Sequence, residues 1–217
     1  MKPSHKLNWI ISSLFFFSSV QFLPAQTLKD VFTSSETSIL YLGIDYTQAR
    51  LIDDASASAI EVRDRYFPAI NDIVVNEPKK YDLQKAFNKT NIEHDLGLVA
   101  KRNKKINAEE IISTNSADYS RLKEEDINNL VKGFDFEKKK GLGLLFVVEG
   151  MSKGKKGASI WVTFIDMGTN KVLLTERMEG NTAMSIGFKN YWAYPIYKLI
   201  ETIEKKKYKE WKQKYGS

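Results

Sequence analysis

The chain of 217 residues contains no cysteine. That absence excludes a disulfide framework, a thiolate nucleophile, a thiolate metal ligand and an acylated cysteine behind a leader. Histidine is nearly as scarce, with His5 near the start and His94 as the only other. Zinc sites usually draw on several His and Cys ligands, so His94, in Glu93-His94-Asp95, reads as a surface or strand-edge residue. The same shortage of imidazole argues against Ser-His-Asp hydrolysis. No Asp-x-Asp-x-Asp-Gly calcium loop is present. The sequence therefore assigns no catalytic, cofactor-binding or metal-ligating residue, calls for no cofactor and leaves enzymatic activity open.

Long apolar runs are also missing, with one short exception at the N-terminus. Met1–Asn8 carry Lys2 and Lys6 without an acid, Trp9–Val20 are apolar apart from serines, and Leu23-Pro24-Ala25 ends on a small residue. This is the order of a cleavable export signal. Its apolar part is shorter than the ~20 residues of helix that span a bilayer. Residues 1–25 are thus read as a signal peptide, and 26–217 as one domain acting in the periplasm or outside the cell. A domain without disulfides must be held by its own core, and this length suffices for one.

Basic residues outnumber acidic ones 33 to 27, and removing Lys2 and Lys6 leaves 31 against 27, or +4. So mild an excess aids solubility and gives a weak preference for acidic surfaces. It lacks the concentrated basic stripe of a nucleic-acid binder.

Ser38–Ile44 is an almost continuous apolar run, suited to a strand buried on both faces. Ile60, Tyr66, Phe67, Ile70 and Ile73 recur near helical spacing around Pro68, and Tyr81–Phe87 suggests a shorter helix. Ile92–Ala100 alternates loosely and reads as extended. The stretch from Ser116 or Asp118 to Phe134 has helical spacing and a stop glycine at Gly133. From Gly141 the pattern becomes strand-like: Leu142–Glu149, Ala158–Met167 and Lys171–Glu179 predict a three-stranded antiparallel meander. Phe188–Lys214 then reads as a long helix whose apolar stripe closes the core. The expected class is α+β, with a mixed or antiparallel sheet and helices mainly on one face.

Gly150-Met-Ser-Lys-Gly154-Lys155-Lys156 invites comparison with a phosphate-binding loop. Three residues rather than four separate the glycines, Lys156 stands where a hydroxyl is needed, and a strand follows instead of a helix. A solvated hairpin is the better reading, with Lys153, Lys155 and Lys156 free to touch an acidic partner. Carboxylate pairs at Asp53-Asp54, Glu61 with Asp64, and Glu109-Glu110 offer acid and base to a glycosidase-like hydrolase only if a cleft sets their separation. The segment Glu204–Tyr215 carries Tyr208, Trp211 and Tyr215 at helical spacing beside six lysines. It suits either an anionic membrane face or a helix packing its rings inward.

The Ala25-Gln26 junction, the Tyr41-Leu-Gly-Ile-Asp-Tyr-Thr strand and the closing meander and helix resemble uncharacterised exported proteins of the Bacteroidota type. The element order is also similar to periplasmic modules of curli-secretion and outer-membrane lipoprotein families, whose lipidated cysteine this chain lacks. Such a resemblance implies docking to envelope machinery. The function expected is a non-catalytic envelope interaction module that uses a sheet edge, the lysine hairpin or the C-terminal helix. The alternatives are a carboxylate hydrolase of an envelope polymer and a carrier of a small apolar ligand. Partners would be envelope components, with weak membrane-surface contact, no transmembrane segment after leader removal and no nucleic acid.

Overall fold

The computed structural model describes residues 27–217, so the leader lies outside the described residues. Its centre is β5 (Leu142–Ser152), an eleven-residue strand buried along its whole length. The run Leu-Gly-Leu-Leu-Phe-Val-Val explains this, because both faces of such a strand must be covered. Along one side of β5 lie β1 (Ile39–Asp45) and then β2 (Arg50–Ile52), both parallel to it, with Ile39 opposite Leu142 and Arg50 opposite Gly150. Outside these, β3 (Ile92–His94) pairs with β1 and β4 (Ile112–Ser113) with β2, again parallel. On the other side β6 (Gly157–Asp166) and β7 (Lys171–Asn181) add successive antiparallel strands.

The helices cover both faces. On one face lie α1 (Leu28–Thr33), the continuous run of α2 (Ala59–Glu61), a π turn at Val62–Tyr66 and α3 (Phe67–Asn76), and then α4 (Leu83–Ala86). The same face receives α7 (Phe188–Thr202), which passes through a π turn at Ile203–Lys207 into α8 (Tyr208–Tyr215). On the opposite face Leu98 and Val99 of α5 (Gly97–Asn103) and Ile127 and Val131 of α6 (Glu124–Lys132) pack on Leu145, Val147, Trp161 and Ile165. The α+β expectation is therefore corrected. Five strands, β1 to β5, run parallel and helices lie on both sides, which is an α/β arrangement. Parallel strands need crossovers, and a crossover helix settles on a face of the sheet.

Beyond Tyr41, where pairing with β3 ends, two asparagines serve the outer edge of β1. Gly43 bulges at φ +99°, and a Cβ there would come within 2.7 Å of Asn71 Oδ1. The Ile44 amide donates to Asn71 Oδ1 at 2.7 Å, and the Asn71 and Asn103 amides each donate to the Ile44 carbonyl at 3.0 Å. The Tyr46 amide donates to Asn103 Oδ1 at 2.8 Å. Side chains from α3 and α5 thus satisfy buried backbone groups that no strand reaches.

Candidate interaction surface

The side of the sheet opposite β3 and β4 ends in β7, an eleven-residue strand whose ladder partner is β6 alone. Among the described residues no backbone group pairs with its outer edge. Lys171, Glu179 and Asn181 on it are exposed. A long open edge presents a row of unpaired donors and acceptors to any extended chain.

The edge is firmly held from within. Glu149 is the one charged residue of β5, and it is fully buried. Its Oε2 accepts from Arg177 Nε of β7 at 3.0 Å, from Trp161 Nε1 at 3.0 Å and from Ser159 Oγ at 3.2 Å, while Oε1 takes the Leu122 amide. The Arg177 guanidinium lies 4.7 Å from the centre of the Trp161 ring and also donates to the carbonyls of Ser120 and Leu122. On the other face Glu176 accepts from Trp211 Nε1 at 2.6 Å and pairs with Lys207 at 2.6 Å. Gly180 sits under Pro195, where any Cβ would strike the Pro195 carbonyl of α7. A strand gripped on both faces loses little further entropy when a partner adds to it.

The lysine hairpin and the aromatic tail lie apart. Lys153 stands 4.1 Å from the Tyr191 ring centre and 3.8 Å from Asp54, and Lys155 is 4.5 Å from the Tyr119 ring centre. Lys156 takes a left-handed turn conformation at φ +51°. Trp211 is buried in the core, 6.3 Å from Phe164 between ring centres, while Tyr208 and Tyr215 flank Phe32 half-buried. Phe164 pairs with Leu144 near the start of β5, and the hairpin caps its far end, so the structure does not bring the two groups together.

Each carboxylate pair has local partners. Asp54 accepts from Trp192 Nε1 at 2.9 Å and from the Ser56 amide at 3.0 Å. Glu61 completes the cap at Ser58, the Arg63 guanidinium grips Asp64 and holds its carboxyl below the usual range, and Glu110 meets Arg50 at 3.5 Å. On α7, Lys198 and then Lys205 hold Glu201 down to about 2. Burial pushes the Tyr81 hydroxyl up to about 12. Among the described residues no three His, Cys, Asp or Glu side chains are placed to hold a metal ion.

The hairpin also hides a spacing that reading it as a phosphate loop overlooks. Gly150-Met-Ser152-Lys-Gly154 fits the Gly-x-Ser-x-Gly pattern of a nucleophile elbow. Ser152, however, ends β5 and enters a β-hairpin rather than a helix, and its Oγ accepts the Lys155 amide at 3.2 Å. His94 lies level with Tyr41 and Leu144, eight residues back along β5, roughly 25 Å at strand rise. No triad forms around that serine.

No family model matches the chain, and no curated protein matches it. Among solved structures it is similar to the lipoprotein GNA1162 from Neisseria meningitidis, at 15% identity and a TM-score of 0.28, over 70% of this chain and 86% of that one. No helix of the described residues is long and apolar enough to cross a membrane.

Proposed function

We propose that this protein is an exported, non-catalytic envelope module, a single domain after its leader, that docks an extended segment of a protein partner along β7. The observation that carries the reading is the open outer edge of an eleven-residue strand. Strand addition supplies main-chain hydrogen bonds along the edge, and side chains of alternate residues set specificity. Lys171 and Glu179, exposed near opposite ends of β7, favour a partner with an acid near one end of its segment and a base near the other. The leader's charge and apolar order support export. The lysine hairpin and the tail helix remain secondary contacts in this reading.

Photo-crosslinking in intact cells tests it, with a photoreactive residue placed in turn at Lys171, Glu179 and, on the opposite edge, Glu93. Adducts to the same envelope protein from both β7 positions and not from Glu93 are expected. If the β7 positions give no adduct, or all three positions give the same spectrum, strand addition at β7 is wrong.

A further inference from the structure

The loop that joins β7 to α7, residues 182–187, ends in a bare apolar tip. Met184 is 105% exposed and Ile186 93%, while Ser185 between them is half-buried. No atom lies within 4 Å of the place a Cβ would take on Gly187, so no other segment packs on the loop where it enters α7. Single apolar side chains on a surface are ordinary, but two of this size, fully exposed on one tip, mark a contact site.

Below the tip lies an aromatic collar. Thr182 Oγ1 donates to the Tyr191 hydroxyl at 3.0 Å, and the rings of Tyr66 and Phe188 stand 4.5 Å apart between centres. All three rings belong to half-buried residues. Cations surround the collar. Lys153 Nζ is 4.1 Å from the Tyr191 ring centre, the Lys156 carbonyl accepts the Thr182 amide at 2.8 Å, and Arg65 and Lys189 flank Ile186. Lys153 approaches Asp54 at 3.8 Å and Arg65 approaches Glu61 at 3.8 Å, whereas Lys156 and Lys189 form no ion pair among the described residues. Apolar tip, aromatic collar and cationic ring follow the depth profile of a bilayer interface, where acyl chains take apolar side chains, the interfacial zone takes rings and phosphates take cations. A protein partner would instead need a separate pocket for each protruding side chain.

We infer that the 182–187 loop docks the domain on an anionic phospholipid surface, with Met184 and Ile186 in the acyl boundary and Arg65, Lys153, Lys156 and Lys189 at the phosphates. This contact does not depend on strand addition at β7, and vesicles test it without a protein partner, so the two proposals fail separately.

The test is flotation of the full mature protein with vesicles of equal parts phosphatidylglycerol and phosphatidylcholine, against vesicles of phosphatidylcholine alone. Binding to the anionic vesicles is expected, weakened about tenfold when Met184→Ser and Ile186→Ser are combined. Lys156→Gln with Lys189→Gln should also cost about tenfold on anionic vesicles and nothing on neutral ones. Circular dichroism should be unchanged in both variants. Insertion is read from Met184→Trp, whose fluorescence bromine-labelled acyl chains should quench while the domain's own Trp161, Trp192 and Trp211 stay buried. Absence of binding to anionic vesicles, equal binding to neutral ones, or undiminished binding in the serine variant overturns the inference. So does a Met184→Trp side chain that bromine leaves unquenched, the outcome expected if the tip serves a protein partner or the C-terminal helix makes the membrane contact.

Discussion

Glu149 and Arg177 meet at 3.0 Å beneath α6, although 28 residues separate them in the chain. The pair joins the central strand to the edge strand and, through the Leu122 amide and carbonyl, fastens the segment entering α6 to the sheet. Removing one partner of a buried pair strands the other charge, at a typical cost of several kcal/mol. Arg177→Ala should therefore destabilise the domain by about 3 kcal/mol in urea unfolding. Replacing both residues by methionine should cost more than that single change, because the Leu122 amide, Trp161 Nε1 and Ser159 Oγ then lose their buried acceptor. A double variant more stable than Arg177→Ala would show that the stranded charge, rather than the lost acceptor, dominates the cost.

Gly180 tests the grip from the other face. An alanine methyl would overlap the Pro195 carbonyl, which is backbone and cannot swing aside. Either α7 lifts from β7 or the strand shifts outward. Overpacking of this kind costs about 2–3 kcal/mol, and Gly180→Ala should lower the midpoint of thermal denaturation by several degrees. An unchanged midpoint would mean that α7 has slack over the strand.

The sequence disclosed the elements that local pattern controls. The runs Leu142–Glu149, Ala158–Met167 and Lys171–Glu179 fall on β5, β6 and β7, with Met167 already in the turn, and the long closing helix begins at Phe188. Parallel pairing stayed hidden because it joins distant residues, as Ile39 joins Leu142. Strands β2 and β4, of three and two residues, are too short to register as periodicity. Ile92–Ala100 reads as extended, yet only Ile92–His94 is strand. Asp95 accepts the Gly97 amide at 2.9 Å, and the chain turns there into α5. That turn puts a helix on the second face, which is the physical source of the error in fold class. Of the candidate surface, the sequence offered a sheet edge in general terms. A lone acid ending the apolar run of β5 was the available signal for the network beneath it, but its partner Arg177 follows from register alone.

Tyr41→Phe deletes a buried oxygen that has no hydrogen-bond partner within the protein. Ordinarily a buried tyrosine loses stability with its hydroxyl, because a hydrogen bond goes with it. Here the unfolded chain alone gives up a favourable contact, that with water, so the variant should be more stable by about 1 kcal/mol. Urea denaturation at fixed slope measures this directly. A destabilised variant would mean that the hydroxyl is already satisfied.

Lys89 gives the stability of the domain a pH dependence of defined sign. The side chain is buried, and its ammonium donates to the carbonyls of Val31 and Ser34, tying the end of α1 to the segment after α4. Burial, with Lys212 nearby as a second cause, pushes it down to about 8, whereas an unfolded lysine keeps its proton to about pH 10.4. Between those values the unfolded state holds more protons than the folded one, so this residue makes stability rise with pH through that window. Below about pH 8 the cost of the buried charge is present in full. Unfolding measured at about pH 7.5 and about pH 9.5, for the wild type and for Lys89→Met, isolates the contribution. The wild type should gain on the variant at the higher pH. A constant difference would mean that the two carbonyls hold the proton as firmly as water does.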